Sequence, residues 1–278
     1  MRRLRYCVAH PLAGRYIIWR FIHKPEISHL YKYRPFNEFT LDIIASNKIF
    51  FPKPAIFNDP YDCKIEVDKK VSLEDYIKMM RHDAARQFVP ENVLEGETAK
   101  VKKVGIVPSE FLENLSLGID EYHNENQGMG VLSLSSDPKN ILMWAHYADD
   151  HKGMCIEFER TEENSLGRDD VTQPVKYLVG YPRVKAIDFI TAPAGSATRK
   201  MLWSKSKDWE YEKEWRMLVT KGNETMPLPG KITSIIIGMR MPERNINIIR
   251  QLIKGTGIKL KLAEMLKNDY GIKVQKII

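Results

Sequence analysis

The sequence predicts an α+β fold, in which helices flank a mostly antiparallel central sheet. Short alternating or apolar segments bounded by turn residues, which are typical of strands, are concentrated in the second half of the chain. Helical periodicity dominates residues 73–123, and the chain shows no internal repeat. With 278 residues, 43% of them hydrophobic and 28% charged, the composition is that of a globular protein that buries a core.

In the first half of the chain, runs of Tyr, Phe and Ile alternate with polar turns. Pro35, Pro52 and Pro54 bound the short strand-like segments, because proline interrupts the pairing of a strand. The polar stretch around residues 95–103 is predicted to be a connection or lid. The elements predicted here are, in chain order, a strand at 28–34, a helix at 37–46, strands at 48–51 and 65–67, and helices at 73–88 and 109–123.

The second half of the chain is richer in strands. Within residues 211–219, Glu212, Glu214 and Arg216 alternate with apolar side chains, a period of two that predicts one shared face. Two carboxylates on that face repel each other unless a cation, water or a substrate meets them. The predicted strands are 130–135, 153–158, 175–177, 185–189, 211–219, 232–237 and 273–277, and the predicted helices are 140–147, 198–205, 243–254 and 260–268.

The formal charge of +7 is distributed unevenly along the chain. Residues 1–27 contain six Lys/Arg and one Glu, whereas residues 221–278 contain eleven Lys/Arg and four Asp/Glu. We expect a basic N-terminal arm or extension at 1–27, followed by a single domain at 28–278 whose motifs lie in the mildly acidic core at 28–220. The basic ends either bind a phosphate backbone or form solvated Lys-rich surfaces, including a C-terminal helix pair.

Several protein classes are excluded by motifs that the sequence lacks. No apolar run approaches the ~20 residues that span a bilayer, so we expect no membrane partner. The three cysteines include no CxxC pair and cannot form a closed disulfide framework, which favours a cytoplasmic protein. The HExxH, GxSxG, Walker and GxGxxG motifs are absent, and no metal site is expected.

Candidate chemistry lies in four clusters where polar side chains are set among aromatic ones. His146 is a candidate acid or base because it carries an imidazole, although a single histidine beside aromatic residues is typical of a half-buried structural residue. Asn58 and Asp59 equally fit an Asx-turn before a proline, and the two glutamates equally fit an exposed strand. The clusters are Tyr31, Lys32, Tyr33 and Arg34; Asn58 and Asp59; Ser133 and Ser135 with Trp144, His146 and Tyr147; and Glu212 and Glu214 with Lys205, Trp209 and Arg216.

Longer segments around these clusters resemble a known family. YKYR, FNDPYD, SLSS, MWAHYADDHKGMCIEF and KSKDWEYEKEWR occur in this order between about Leu30 and Val219. In this order they resemble the bacterial family called domain of unknown function 2971. MWAHYADDHKG and WEYEKEWR are long enough to be specific. The family name implies no activity.

Three shorter patterns resemble the ADP-ribosyltransferases of the toxin and DNA-modifying kinds. Those enzymes carry an Arg or His on an early strand, Ser-x-Ser on a middle strand and Glu-x-Glu on a late strand. Arg34, the segment from Ser133 to Ser135 and the segment from Glu212 to Glu214 follow that order. The resemblance implies a split antiparallel sheet and an enzyme that consumes NAD.

The same resemblance implies roles for individual residues. Breaking the bond between ribose and nicotinamide develops an oxocarbenium ion, which Glu214 would stabilise, while Glu212 would orient or deprotonate the acceptor. Arg34 would pair with the pyrophosphate of NAD, and Tyr33 or Tyr147 would stack on the nicotinamide. The full predicted NAD-binding set is Tyr31, Tyr33, Arg34, Asn58, Asp59, Ser133, Ser135, Trp144, His146 and Tyr147.

The predicted function is therefore an NAD-consuming transferase that modifies a nucleic acid or a protein, in the manner of a toxin or phage-defence effector. Two alternatives stay open at the level of the sequence. One is a metal-dependent nuclease or nucleic-acid-binding module, with Glu212, Glu214 and Asp59 as metal ligands. The other is a non-enzymatic sensor or scaffold, in which the aromatic clusters belong to the core.

Overall fold

A computed structural model describes residues 24–276 of the chain. The sequence predicts a single domain from residue 28 to 278, whereas the described residues divide into two compact units, each with its own internal contacts. The basic arm predicted at 1–27 lies outside the described residues except for 24–27. The described part of the first unit is 59–128 and 178–204, and that of the second is 24–58, 129–177 and 205–276.

The described residues are a mixture of strands and helices, as the sequence predicts. The strands are β1 (His29–Arg34), β2 (Lys48–Phe51), β3 (Glu66–Asp68), β4 (Gly130–Ser135), β5 (Met154–Glu159), β6 (Thr172–Pro174), β7 (Lys176–Leu178), β8 (Arg183–Lys185), β9 (Ser204–Ser206), β10 (Glu214–Val219), β11 (Glu224–Pro227), β12 (Ile232–Ile237), β13 (Lys259–Met265) and β14 (Ile272–Lys276). The helices are α1 (Glu38–Ser46), α2 (Leu73–Arg86), α3 (Glu91–Val104), α4 (Ser109–Gly128), α5 (Ile141–Tyr147), α6 (Asp188–Thr191), α7 (Ser196–Leu202) and α8 (Glu243–Leu252), with short 3₁₀ helices at Pro54–Ile56, Ser165–Gly167 and Lys207–Glu212.

The second unit is built on an eight-stranded sheet in the order β14-β13-β12-β5-β1-β4-β10-β6. Its neighbouring strands run antiparallel except β12 and β13, which are parallel because helix α8 connects them. This arrangement confirms the mixed α+β class and the mostly antiparallel sheet. It also makes β1, β4 and β10, which carry Arg34, Ser133 and Glu214 of the three short motifs, direct neighbours in the sheet.

Alternation along the strands gives this sheet an apolar face and a face with a polar row. On the apolar face, Leu30, Leu134 and Trp215 belong to the largest core of the unit. Residues that are paired across antiparallel strands point to the same face, and the register aligns four polar residues on the other face. From β5 to β10 this row consists of Glu157, Tyr31, Ser135 and Glu214.

The first unit is mainly helical and adds the small parallel sheet β3–β8. Helix α2 begins with a capping box between Ser72 and Asp75, which satisfies the first free N–H groups of the helix. A buried hydrogen-bond network joins α4 to α7, with Thr198 bonded to both Tyr122 and Asn126. The unit therefore has an interior of its own.

Three predicted elements are wrong. Residues 260–268, predicted as a helix, form strand β13 as far as Met265, because they pair with β12 and β14. The connection predicted at 95–103 is part of helix α3, which buries only Leu94 and Thr98 and so shows little periodicity. The strand predicted at 185–189 ends at Lys185, and helix α6 follows.

Candidate active site

Glu214, the first residue of β10, is a buried carboxylate held by two cations. The Arg216 guanidinium, two residues along the same face, donates from Nε to Oε1 at 2.7 Å and from Nη2 to Oε2 at 3.1 Å. Lys205 Nζ lies 3.1 Å from Oε2. The Arg216 side chain is fully buried and that of Glu214 is 4% exposed, so neither charge is stabilised by bulk water.

Glu212 lies beside Glu214 but in a different element. It ends the 3₁₀ helix Lys207–Glu212, which corrects the prediction that both glutamates belong to one strand. Its Oε1 accepts the hydroxyl of Tyr147 at 2.7 Å, and its Oε2 accepts Lys205 Nζ at 2.6 Å. The single Lys205 ammonium therefore bridges the two carboxylates. The alternative of an exposed Glu/Arg strand face is wrong, because both glutamates are buried.

The backbone between the glutamates turns sharply at Lys213, which adopts a left-handed conformation with φ of 45°. Three hydrogen bonds to backbone groups hold this turn. Ser135 Oγ donates to the Glu212 carbonyl at 2.7 Å, the Ser136 N–H donates to the Lys213 carbonyl at 3.1 Å, and the Glu214 N–H donates to the Tyr177 hydroxyl at 2.7 Å. These hydrogen bonds fix the backbone at the turn and so hold the two carboxylates close to each other.

This shared environment moves the pKa values of the two carboxyl groups in opposite directions. Burial alone raises the pKa of Glu214, but Arg216 and Lys205, helped by a hydrogen bond from Ser133, outweigh it and lower the pKa well below its usual range. For Glu212, burial is the largest effect, and with the nearby Glu214 charge it raises the pKa in spite of Lys205. Glu214 therefore stays ionised, while Glu212 takes up a proton more readily.

Lys32 connects this pair to the neighbouring strand β1. Within the described residues, β1 and β4 form a single register pair, Tyr31 with Ser135. Beyond it, Lys32 Nζ donates to the Ser133 carbonyl at 2.7 Å, where a continuing ladder would have used a backbone N–H. Burial, together with the charge of Arg34, lowers the pKa of Lys32 to about 8. Lys32 and Arg34 both lie on the sheet face opposite Tyr31. The long Lys32 side chain nevertheless extends from this face to β4.

The structure brings four predicted site residues to the carboxylate pair. Tyr147 contacts Glu212 directly, and Asn58 hydrogen-bonds Tyr147. Ser133 bonds the Glu214 carboxylate, and Ser135 supports the backbone at Glu212.

Other predicted site residues have different surroundings. Trp144 is fully buried and donates its indole N–H to the Pro138 carbonyl at 2.9 Å, so its ring belongs to the core. Tyr33 is buried and packs edge-on against Trp144 with centroids 5.3 Å apart. Tyr31 lies beside Glu157, in the same polar row. Asp59 belongs to the first unit, where its carboxylate accepts the Tyr61 N–H at 2.9 Å.

Exposed His146 belongs to a row of rings beside Glu212. Its ring centroid lies 6.3 Å from that of Tyr147 and 6.1 Å from that of Tyr211, which is itself 6.1 Å from Trp209. Lys205 completes the row with its ammonium 5.0 Å from the centre of the Trp209 ring. The imidazole is thus next to the carboxylate pair without bonding to it.

Lys32 belongs to the first predicted cluster without a predicted role there, and Tyr177 was not predicted as a site residue. A lysine inside a tyrosine-rich strand is a signal that could have singled out Lys32, because alternation places it on the face of Leu30, where an apolar residue is expected. Nothing in the local sequence indicates Tyr177, which reaches Glu214 only through the tertiary fold.

The comparisons with known proteins bear on one part of the chain. A profile of the family described as "protein of unknown function (DUF2971)" matches residues 143–217, which contain the two longest segments of the resemblance and both glutamates. No curated protein and no solved structure matches the chain.

Two negative findings concern the residues that the structure describes. Between residues 24 and 276, no helix is both long and apolar enough to cross a membrane. Over the same range, no three His, Cys, Asp or Glu side chains are grouped in a way that could hold a metal ion.

Proposed function

We propose that this protein is an NAD-consuming ADP-ribosyltransferase whose reaction centre is the pair Glu212 and Glu214. The observation that carries the proposal is that two buried carboxylates share the Lys205 ammonium while Glu214 also pairs with Arg216, an arrangement that lowers the pKa of Glu214, whereas burial raises that of Glu212. In enzymes that cleave glycosidic bonds, two such carboxyl groups supply a permanent negative charge and a proton carrier. Transfer of ADP-ribose from NAD can use the same two roles, because the ribose cation is stabilised by a negative charge and the acceptor loses a proton.

In this proposal, Glu214 stabilises the reacting ribose. The bond between ribose C1′ and the nicotinamide nitrogen breaks, nicotinamide leaves with the electron pair, and positive charge develops on the ribose. Glu214, kept ionised by Arg216 and oriented by Ser133, stabilises that charge. A nucleophilic atom of a nucleic acid or protein then bonds to C1′ and releases a proton, which Glu212 accepts. A toxin or phage-defence role stays a prediction.

The strand order supports the proposal. Arg34, Ser133 and Glu214 come from β1, β4 and β10, which are adjacent in the sheet. The near absence of pairing between β1 and β4 agrees with the split sheet that the resemblance implies. Arg34 itself lies on the sheet face opposite Glu214, where its guanidinium donates a 3.3 Å bond to Thr40, so the predicted pairing of Arg34 with the pyrophosphate is not part of this proposal.

The contacts favour the transferase over the metal-dependent nuclease. A divalent cation at Glu212 and Glu214 would have to replace Lys205 and Arg216, whose nitrogen atoms already lie 2.6–3.1 Å from the carboxylate oxygens. The third proposed ligand, Asp59, bonds its own turn in the first unit. A metal ion would therefore have to break these buried ion pairs before it could bind the carboxylates.

The test is nicotinamide release from NAD by the purified protein, with and without cell lysate as a source of acceptor. We expect Glu214→Gln to lower the rate by about 10²–10³, the loss typical of one transition-state contact of this kind. Glu264→Gln, which changes a half-exposed glutamate of β13 paired with Lys273, is the matched control and should keep the wild-type rate. Absence of release by the wild type, or equal rates for both variants, would refute the proposal.

Stability has to be followed in the same experiment. The sequence alone predicts that Glu214→Gln is tolerated, because the residue is expected to face a cleft. The structure predicts a lower free energy of unfolding instead, because fully buried Arg216 loses the carboxylate that neutralises it. Rates are therefore compared at a temperature at which circular dichroism shows each variant to be folded.

A further inference from the structure

A pocket of about 540 Å³ lies on the sheet face opposite Glu214, between the end of β1, helix α1 and strand β2. All of its lining residues belong to the second unit. Its volume falls in the range of small-molecule sites. Two of its lining residues, Lys32 and Phe57, also approach the candidate active site. Lys32 bonds the Ser133 carbonyl, and the Phe57 ring lies 5.8 Å from the Arg216 guanidinium.

The walls of this pocket carry large apolar side chains that are unusually exposed. Phe39 is 68% exposed, Phe50 is 45% exposed and Ile56 is 60% exposed, and all three line this one pocket. Single exposed apolar residues need no explanation, but three around one concavity mark a surface that a flat apolar group can cover. Two of the three are aromatic rings, which stack well on a nucleobase.

The polar groups of the pocket are mostly cations. Lys32, Arg34 and Lys48 line it, and Asp42 is its one acidic residue. Arg34 presents a planar fork suited to phosphate oxygens, and Lys48 is exposed at the rim. A pocket with this excess of positive charge attracts an anion rather than a neutral base alone.

Aromatic walls together with three cations match one class of ligand. We propose that this pocket binds a nucleoside diphosphate group, with the base between Phe39 and Phe50 and the two phosphates at Arg34 and Lys48. This inference does not rest on the proposed function, because the pocket and Glu214 lie on opposite faces of the sheet. Lys32 then lies between the bound phosphates and the strand that carries Ser133.

Equilibrium binding of ADP, pyrophosphate and adenosine to the full chain tests this assignment by calorimetry. We expect Phe50→Ala to weaken ADP binding about ten-fold, the loss typical of one stacking ring, and to leave pyrophosphate binding unchanged. Lys48→Gln should weaken ADP and pyrophosphate alike. The matched controls are Phe88→Ala and Lys254→Gln, which change exposed residues outside the pocket and should bind as the wild type does.

The outcomes separate this inference from the proposed function. If ADP does not bind, or binds equally to the Phe50→Ala and Phe88→Ala variants, the pocket assignment is overturned. A wild type that forms dimers dissociated by Phe50→Ala would likewise overturn it, by showing that a second copy covers the rings. If ADP binds as expected but no nicotinamide is released, the proposed function fails and the nucleotide pocket stands. If nicotinamide is released but ADP does not bind, the pocket assignment fails and the proposed function stands.

Discussion

Two buried carboxylate clusters lie on the same face of the same sheet and are built differently. Around Glu157, both oxygens accept Lys261 Nζ at 2.7–2.9 Å, and the hydroxyls of Thr233 and Ser234 complete the shell of Oε1. One carboxylate thus meets one cation and neutral donors. Burial raises the pKa of Glu157, but these bonds outweigh it and lower the pKa. Such a satisfied group stabilises its surroundings and needs no ligand.

The Glu212–Glu214 cluster holds two like charges close together, whereas the Glu157 cluster holds one. Two carboxylates share the Lys205 ammonium, and burial together with the Glu214 charge leaves Glu212 with a raised pKa in spite of that contact. Buried groups whose pKa values are driven apart are concentrated at reaction centres. The comparison teaches that burial of a glutamate does not by itself indicate function, and the proposed function therefore rests on the unequal division of cations between Glu212 and Glu214.

The largest expected difference between the clusters is in stability. Arg216→Met removes a fully buried cation from Glu214 and should lower the free energy of unfolding by about 3–5 kcal/mol. Lys261→Met should cost less, about 1–3 kcal/mol, because its side chain is 25% exposed and Glu157 keeps two hydroxyl donors. Urea unfolding of both variants measures the difference. Equal losses would show that the two clusters are energetically equivalent.

A second prediction separates the roles of the two glutamates. Glu212→Gln keeps the bond with Tyr147 but removes the proton acceptor, so transfer of ADP-ribose to an acceptor in lysate should fall about 10²–10⁴-fold. Nicotinamide release into water should change much less, because Glu214 is intact. The two products are measured in parallel with labelled NAD. An equal loss of both activities would assign the cation-stabilising role to Glu212 as well.

The smallest expected effect is on the pH dependence of stability, to which Glu212 and Glu157 should contribute with opposite signs. The raised pKa of Glu212 means that its folded form binds a proton more tightly, so its contribution to stability declines as pH rises above the usual glutamate range of about 4.3. The lowered pKa of Glu157 gives a contribution that is present above that range and lost as pH falls through its folded pKa.

Chemical unfolding between pH 3 and pH 7 measures these two contributions. Relative to the wild type, Glu212→Gln should become more stable as pH rises, and Glu157→Gln should become less stable, each by on the order of 1 kcal/mol. Slopes of the same sign for the two variants would contradict the pKa directions on which the comparison depends.

Much of the central sheet could be predicted from local sequence. Strands β4 and β12 have the predicted bounds, because each is a continuous strand-forming run between turn residues. Strand β13 could not be predicted from composition, since its residues favour helix and only its pairing with β12 and β14 decides otherwise. Long-range pairing overrides local preference in this part of the chain.

The candidate site was predicted less completely than the fold. The Glu-x-Glu pattern drew attention to the right carboxylates, but their contacts come from segments distant in sequence, including Tyr147 and Tyr177. The 3₁₀ helix that carries Glu212 was missed, because its alternation of charged and aromatic residues matches a strand equally well. No local sequence pattern indicates which of the two carboxylates contacts both Lys205 and Arg216.

The most direct test of the account compares two matched double variants. Glu214→Gln with Arg216→Met, and Glu157→Gln with Lys261→Met, each replace an ion pair on the same sheet face by a neutral pair, which avoids leaving an unpaired buried charge. The rate of nicotinamide release from NAD is measured for both folded proteins. We predict a loss of about 10²–10³ for the first double variant and a rate within about three-fold of the wild type for the second. Equal rates for the two would contradict the claim that the Glu212–Glu214 pair is the reaction centre.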